Sequence, residues 1–503
     1  RDLGWISFVA GPLDRVSKKT YIVDHSPGDR GLVPNCHRAS LPERDRGHLT
    51  GGIVRHQTFM LQATLGVPEM ARNVTFAEPY TDDLGPDDAN ISDHDVWAAG
   101  VPHATFARLR DKEPVAWIDE IDGRGYWAVT RYEDAWAVSR NVETFTNAVG
   151  IRLEDMDAEE TQARRTMMEM DPPDHTRFRR LVSRGFTPRV VNTYETAIRA
   201  IAVEVIERAL PKGEFEFVTE IAQELPMRML GRMLGTSDDD GLRLVEWGDA
   251  LLGNTDPDFT DHPVGLVDTE EFRMMPFRSP TTIEIFNYAA EQAEARRHTP
   301  SDDVISQLLA PTTSGEPLTD LEFKNFFTLI IAAGNDTTRY TITHGLWVLL
   351  NHPHLFDTWR AAVLAGNTDL TNAAVEEVLR TGSVTTHFRR TATEDTTLGG
   401  SNIKAGDKVV MYYLSTDHDA ARFPDPFRFD LARADNEHMA FGRNGPHFCL
   451  GAWLARMEIK VVFEELLKRV IRMEQNGPTD RLRSNFISGI KQLPVRIEEL
   501  ATA

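Results

Sequence analysis

Phe441-Gly-Arg-Asn-Gly-Pro-His-Phe-Cys449-Leu-Gly451 is the stretch that decides how this chain is read. One cysteine lies between Gly445 and Gly451, with His447 two residues ahead of it. An amphipathic run from Ala452 to Met473 follows directly. This order puts Cys449 at the end of a tight loop and the start of a helix. Glycine permits torsions closed to other residues and lets a flat group approach the main chain. Amide N–H groups and the positive end of a helix favour thiolate over thiol, so Cys449 is expected to be a thiolate able to ligate a metal. Taken alone, a single cysteine reads more simply as a small buried hydrophobe.

The second informative stretch lies upstream. Thr319-Asp-Leu-Glu322 is a capping box and predicts a helix running to about Leu350, where Asn351-His-Pro353 stops it. About 31 residues at about 1.5 Å each would span about 46 Å, the width of a domain. Leu329 to Ala333 is apolar nearly all round and should be buried. Gly334-Asn335-Asp336-Thr337-Thr338 then interrupts it. Glycine in mid-helix costs about 1 kcal/mol against alanine. A buried carboxylate costs more unless partnered, and hydroxyl side chains can bond the preceding turn and bend the helix. The expectation is a bend with room for a small molecule and water; the simpler alternative is a kink around a satisfied Asp336.

Three weaker signals accompany these. In Asp171-Pro-Pro-Asp-His175-Thr-Arg-Phe-Arg179-Arg180, the prolines sit well at a helix start, and His175 and Arg179, four apart, share a face. Glu377 and Arg380 are three apart on a predicted helix, ordinarily a surface pair. Residues 91–111 read as one helix, Pro114–Asp122 and Tyr126–Tyr132 as a hairpin, and Thr391–Val410 as short strands.

Together these motifs resemble the cytochromes P-450, the heme-thiolate monooxygenases, over residues 95–498. The loop matches at Gly445, His447, Cys449 and Gly451, with one residue more than usual between Phe441 and Gly445. That longer form resembles a bacterial subgroup hydroxylating sterol side chains and methyl-branched lipids. The resemblance implies a mainly helical fold with small β-sheets, a long central helix, and heme b (iron protoporphyrin IX) with Cys449 as axial ligand. It implies that Ala333, Gly334, Asp336 and Thr337 form the oxygen-activation motif. Propionate contacts are implied for His175, Arg179, Arg390 and His438, with Phe441, His447 and Gly451 also against the cofactor. Glu377, Arg380 and Arg428 are implied to interlock and hold the cysteine loop.

The chain has 503 residues, a net charge of −22 and two cysteines, Cys36 and Cys449. So acidic a chain is a poor candidate for nucleic acid. Two cysteines exclude a disulfide framework and suit a reducing cytoplasm. No apolar run reaches 18 residues, so no membrane span is expected. Residues 1–59 hold nine Lys/Arg against six Asp/Glu, a charge of +3 that leaves −25 for the rest. Residues 1–75 are expected to be a disordered or non-native extension, with Met60 and Met70 as plausible natural starts, and 76–503 a single domain.

Thiolate ligation favours O–O cleavage, and Asp336 and Thr337 are the right types for proton delivery. The chain has no Gly-x-Gly-x-x-Gly after a strand and no cysteine cluster for iron–sulfur, so electrons must come from outside; the resemblance implies a separate ferredoxin and ferredoxin reductase as their source. Arg180, Arg443, Arg456 and Lys460 form a basic set for such a partner. O2 and an apolar substrate complete the reaction, with terpenoids the alternative substrate class. A peroxide-using heme-thiolate enzyme and a non-catalytic heme sensor are the competing readings.

Overall fold

The computed structural model describes residues 73–75 and 88–502, apart from 238–239, 302, 311–317 and 444. The expected N-terminal extension, with Cys36, falls outside these residues except at its end. There Asn73–Thr75 pairs antiparallel with Arg428–Asp430.

Helices carry most of the chain and one dominates. Asp320–Asn351 runs unbroken for 32 residues from the expected capping box: Thr319 Oγ1 accepts from Glu322 N, and the Glu322 carboxylate accepts from Thr319 N. Its flanks bury Phe323, Phe326, Phe327, Ile331, Ile342, Leu346 and Leu349 in one large apolar core. Pro188–Ala209, Glu224–Leu234, Thr281–His298, Thr368–Gly382 and Ala452–Arg469 pack into the same core. At about 25 cal/mol per Å² of buried apolar surface, this is the main source of stability. Close packing explains Gly345: a Cβ there would lie 2.7 Å from the Phe463 ring on Ala452–Arg469.

A five-stranded sheet lies beside the helices, in the order Val115–Ile118, Tyr126–Val129, Lys408–Tyr412, His387–Ala392, Phe145–Thr146. The expected hairpin pairs Trp117 with Trp127, and Trp127 in turn pairs in parallel with Val409. Residues 91–111 form two helices, His94–Ala99 and His103–Lys112, where one was expected. Gly100, at φ 156°, and Pro102 separate them. Among the described residues no helix is long and apolar enough to cross a membrane.

Candidate active site

The Cys449 loop is held by main-chain bonds. Cys449 N donates to Phe441 O at 2.9 Å, and Phe448 N to Gly445 O at 3.0 Å. Its glycines work differently from expectation. The left-handed torsion falls at Gly442, φ 68°, rather than at Gly445 or Gly451. Gly445 is needed for space, since a Cβ would sit 2.6 Å from Ser139 Oγ. Gly451 leads into Ala452–Arg469, and a Cβ there would meet nothing within 4 Å.

Cys449 is exposed, and what it faces is a cavity of about 300 Å³ inside the protein. Burial within the fold pushes its thiol up, outweighing the amides of Gly451 and Ala452 and the guanidinium groups of Arg179 and Arg456. The long helix forms another wall of the cavity through Ala333, Gly334 and Thr337, with apolar lining from Leu230, Phe326, Leu329, Ile330 and Phe388.

Cationic and imidazole groups collect on the cavity's polar side. Arg179 donates to Phe448 O, and Arg390, almost fully buried, donates through Nη1 to Arg389 O at 2.9 Å. Neither forms an ion pair with a carboxylate among the described residues. Arg390 and His447 line the cavity. The His175 ring lies 4.0 Å from His447, and His175 Nε2 has no hydrogen-bond partner among the described residues. Burial, reinforced chiefly by Arg179, lowers His175 to about 4; burial, reinforced chiefly by Arg390, lowers His447 to about 2. Two unpaired guanidinium groups and two neutral imidazoles beside a cysteine facing open space fit heme, whose propionates need such donors and whose iron needs the sulfur.

Three expected residues lie elsewhere. His438 does not line the cavity: its Nε2 is 3.1 Å from Glu376 Oε2, and Glu376 is also clamped by Arg456 at 2.6 and 2.8 Å. Asp336 is turned from the cavity, fully buried, with Oδ1 2.8 Å from Arg339 Nη2. Being about 100° further round the helix than Asp336, Thr337 does face the cavity, its Oγ1 donating to Ala333 O at 3.0 Å. The two therefore do not flank one space.

Arg428 is the third. Glu377, fully buried, accepts from Arg380 at 2.8 and 2.9 Å, from Arg433 Nε at 3.1 Å to both oxygens, and from Asp430 N at 2.9 Å. Arg433 thus stands where Arg428 was expected. Arg428 begins the strand Arg428–Asp430, which sends its guanidinium outward to Asp425 and Asp430, while its carbonyl accepts from Arg433 Nη2 at 2.8 Å. A second arginine in Phe427-Arg-Phe-Asp-Leu-Ala-Arg433 was the available signal.

Sequence reasoning also passed over Arg339, Asp249 and Glu458. Arg339 Nη1 bonds Asp249 at 2.6 Å and its Nη2 bonds Tyr340 Oη at 2.8 Å. Glu458 lines the cavity from the Cys449 helix, buried and with no ion-pair partner among the described residues. Of the expected basic set, Arg443 pairs with Glu437, Arg456 with Glu376, and Lys460 lies 3.9 Å from Glu464.

The family model for cytochrome P450 matches residues 152–495. Over 421 residues, 82% of this chain and 85% of the relative, the chain is 34% identical to a steroid C26-monooxygenase of Rhodococcus jostii. It is 37% identical to a methyl-branched lipid omega-hydroxylase of Mycobacterium tuberculosis over 419 residues, 81% of this chain and 94% of that one. Among solved structures, a Mycobacterium marinum cytochrome P450 in complex with pseudoionone superposes with a TM-score of 0.72 at 36% identity, covering 80% of this chain and 97% of that chain. With most of its length matched and Cys449 facing a cavity three residues ahead of the helix Ala452–Arg469, the chain belongs to the cytochrome P450 family and is a heme b monooxygenase.

Proposed function

We propose that this monooxygenase hydroxylates a sterol side chain or a methyl-branched lipid near a methyl terminus. The observation that carries this is the cavity itself, where Leu230, Phe326, Leu329, Ile330 and Phe388 surround the space over Cys449. Such a lining gains by desolvating hydrocarbon. Two relatives above 30% identity bear names of this substrate class, the steroid C26-monooxygenase and the methyl-branched lipid omega-hydroxylase. Terpenoids are the second reading, favoured by the solved structure that holds pseudoionone.

The residues divide the work. Cys449 would ligate the iron, while Arg179, Arg390, His175 and His447 would hold the propionates. Bound heme supplies the redox chemistry by which O2, two electrons, two protons and a C–H bond become an alcohol and water. Both protons must cross the protein. Thr337 presents a hydroxyl to the cavity, its own proton held by Ala333 O, leaving its lone pairs for an incoming donor. Asp336 lies one residue away, buried against Arg339, and burial pushes its carboxyl up to about 7 against the opposing charge of that guanidinium. Both of its forms are then populated near neutral pH, as a proton relay requires.

Electrons come, in this reading, from a separate ferredoxin and its reductase. NADH consumption that starts only when both proteins are added would support that donor. For the substrate, sterols, methyl-branched fatty acids and terpene alcohols are titrated for a low-to-high spin shift. Shifts with the first two classes are expected; shifts confined to small aromatic acids would overturn the proposal.

A further inference from the structure

A second charged group in the cavity wall lies on segments other than the Cys449 loop. Arg152, Glu154 and Arg164 line it there. Glu154 accepts from Arg164 at 2.8 and 2.9 Å and makes an ion pair with Arg278 Nε at 2.8 Å. Burial would raise the Glu154 carboxyl, but the bonds and charge of Arg164, with Arg152 and Arg278, hold it at about 2. Its capacity is thus taken up by Arg164 and Arg278.

Arg152 is left over. Its Nη2 lies 3.6 Å from Glu154 Oε2, longer than a hydrogen bond, and it donates to no other described residue. The neighbouring acids are committed elsewhere. Glu160 bonds Arg278 at 3.1 Å and caps Asp157 N at 3.0 Å. Glu169 bonds the hydroxyl and amide of Thr166, and burial pushes it up towards its neutral form. Yet Arg152 is firmly placed. Its guanidinium lies 4.7 Å from the Phe277 ring centroid and 5.9 Å from that of Phe486. Its loop is tied to the sheet, where Arg389 N donates to Ile151 O at 2.8 Å and Arg389 Nη1 to Glu154 O at 2.8 Å. A mostly buried, immobilised guanidinium whose donors are not taken up by short bonds, beside a carboxylate already committed to Arg164 and Arg278, suits a planar anion that accepts two parallel bonds.

We propose that Arg152 anchors a carboxylate at the end of the substrate remote from the hydroxylated methyl group. The substrate is then a methyl-branched long-chain acid rather than a neutral sterol. This rests on the proposed function and selects between its two arms. An acid would give Arg152 the short charge-assisted bonds that Glu154 at 3.6 Å does not, whereas the ester offers neutral acceptors and no charge.

The test is spin-shift titration of the heme-loaded enzyme with a terminally methyl-branched long-chain fatty acid, its methyl ester, and cholest-4-en-3-one. Wild type should bind the acid on the order of tenfold tighter than the ester. Arg152→Met should bring that ratio close to one, and Arg152→Lys, which keeps charge but not the two-pronged geometry, should retain part of it. The ratio is read within each variant, so a general loss of affinity does not imitate the effect. Equal affinity for acid and ester in wild type, or an undiminished ratio in Arg152→Met, would overturn the anchor. A shift with the sterol alone would overturn it too, while leaving the sterol arm of the proposed function standing. No shift with any of the three would overturn both.

Discussion

Asp336 and Arg339, one turn apart on the long helix, form an ion pair of 2.8 Å with both side chains almost completely out of solvent. Arg339 is held from the other side by Asp249 at 2.6 Å, so one guanidinium bridges two carboxylates. The acid is therefore restrained at rest, and burial pushes its carboxyl up to about 7. Asp336→Asn should lower turnover about tenfold or more while leaving substrate affinity nearly unchanged. It should also remove an inflection near pH 7 from the rate profile. A profile that keeps this inflection in Asp336→Asn would assign it to another group.

Thr337 acts at the cavity itself. Thr337→Ala deletes the hydroxyl that Ala333 O orients. The variant should consume reduced cofactor at a similar rate but convert the surplus to hydrogen peroxide at the expense of product. Simultaneous assay of NADH, peroxide and alcohol checks this. Equal yield of product per NADH in variant and wild type would show that this hydroxyl serves only the helix.

Glu377 accepts from Arg380 and Arg433 in a site with no solvent access. Removing one partner leaves a buried charge uncompensated, which costs about 3–5 kcal/mol. Arg433→Ala should therefore unfold at markedly lower denaturant concentration than wild type. Arg428→Ala, whose guanidinium meets only partly exposed acids, should cost about 1 kcal/mol or less. Equal losses in the two variants would contradict the assignment of Arg433.

Glu458 is buried with no ion-pair partner among the described residues, and burial pushes it up to about 8. The folded state holds this proton more tightly than the unfolded chain does. Its contribution to stability is thus complete below about pH 4.5 and is lost as pH rises through about 8. Glu458→Gln should flatten the decline in melting temperature between pH 5 and 8.5. An unchanged slope would mean that the carboxyl ionises freely.

How much of this was legible in the sequence depends on the range of each interaction. The 32-residue helix was readable because its capping box and its stop at Asn351-His-Pro353 are local signals. The Cys449 loop was readable because a glycine-framed cysteine before an amphipathic run is a local pattern too. What failed was orientation. Thr337 and Asp336 are neighbours in sequence, yet the helical step sends one to the cavity and the other to Arg339. His438 precedes the loop by few residues, but its partner Glu376 lies on Thr368–Gly382, a pairing only the folded chain creates. Arg428 and Arg433 are chemically equivalent candidates until the strand Arg428–Asp430 turns one outward. The charged wall around Arg152 is assembled from segments more than 120 residues apart, and no single stretch announces it.

The central claim is that Cys449 is the axial ligand of a heme seated in this cavity, and the carbon monoxide complex of the reduced protein tests it most directly. Wild type should show the long-wavelength Soret band of thiolate ligation. Cys449→Ser should retain some heme, through Arg179, Arg390, His175 and His447, but lose that band. The same band at undiminished intensity in Cys449→Ser would contradict the account.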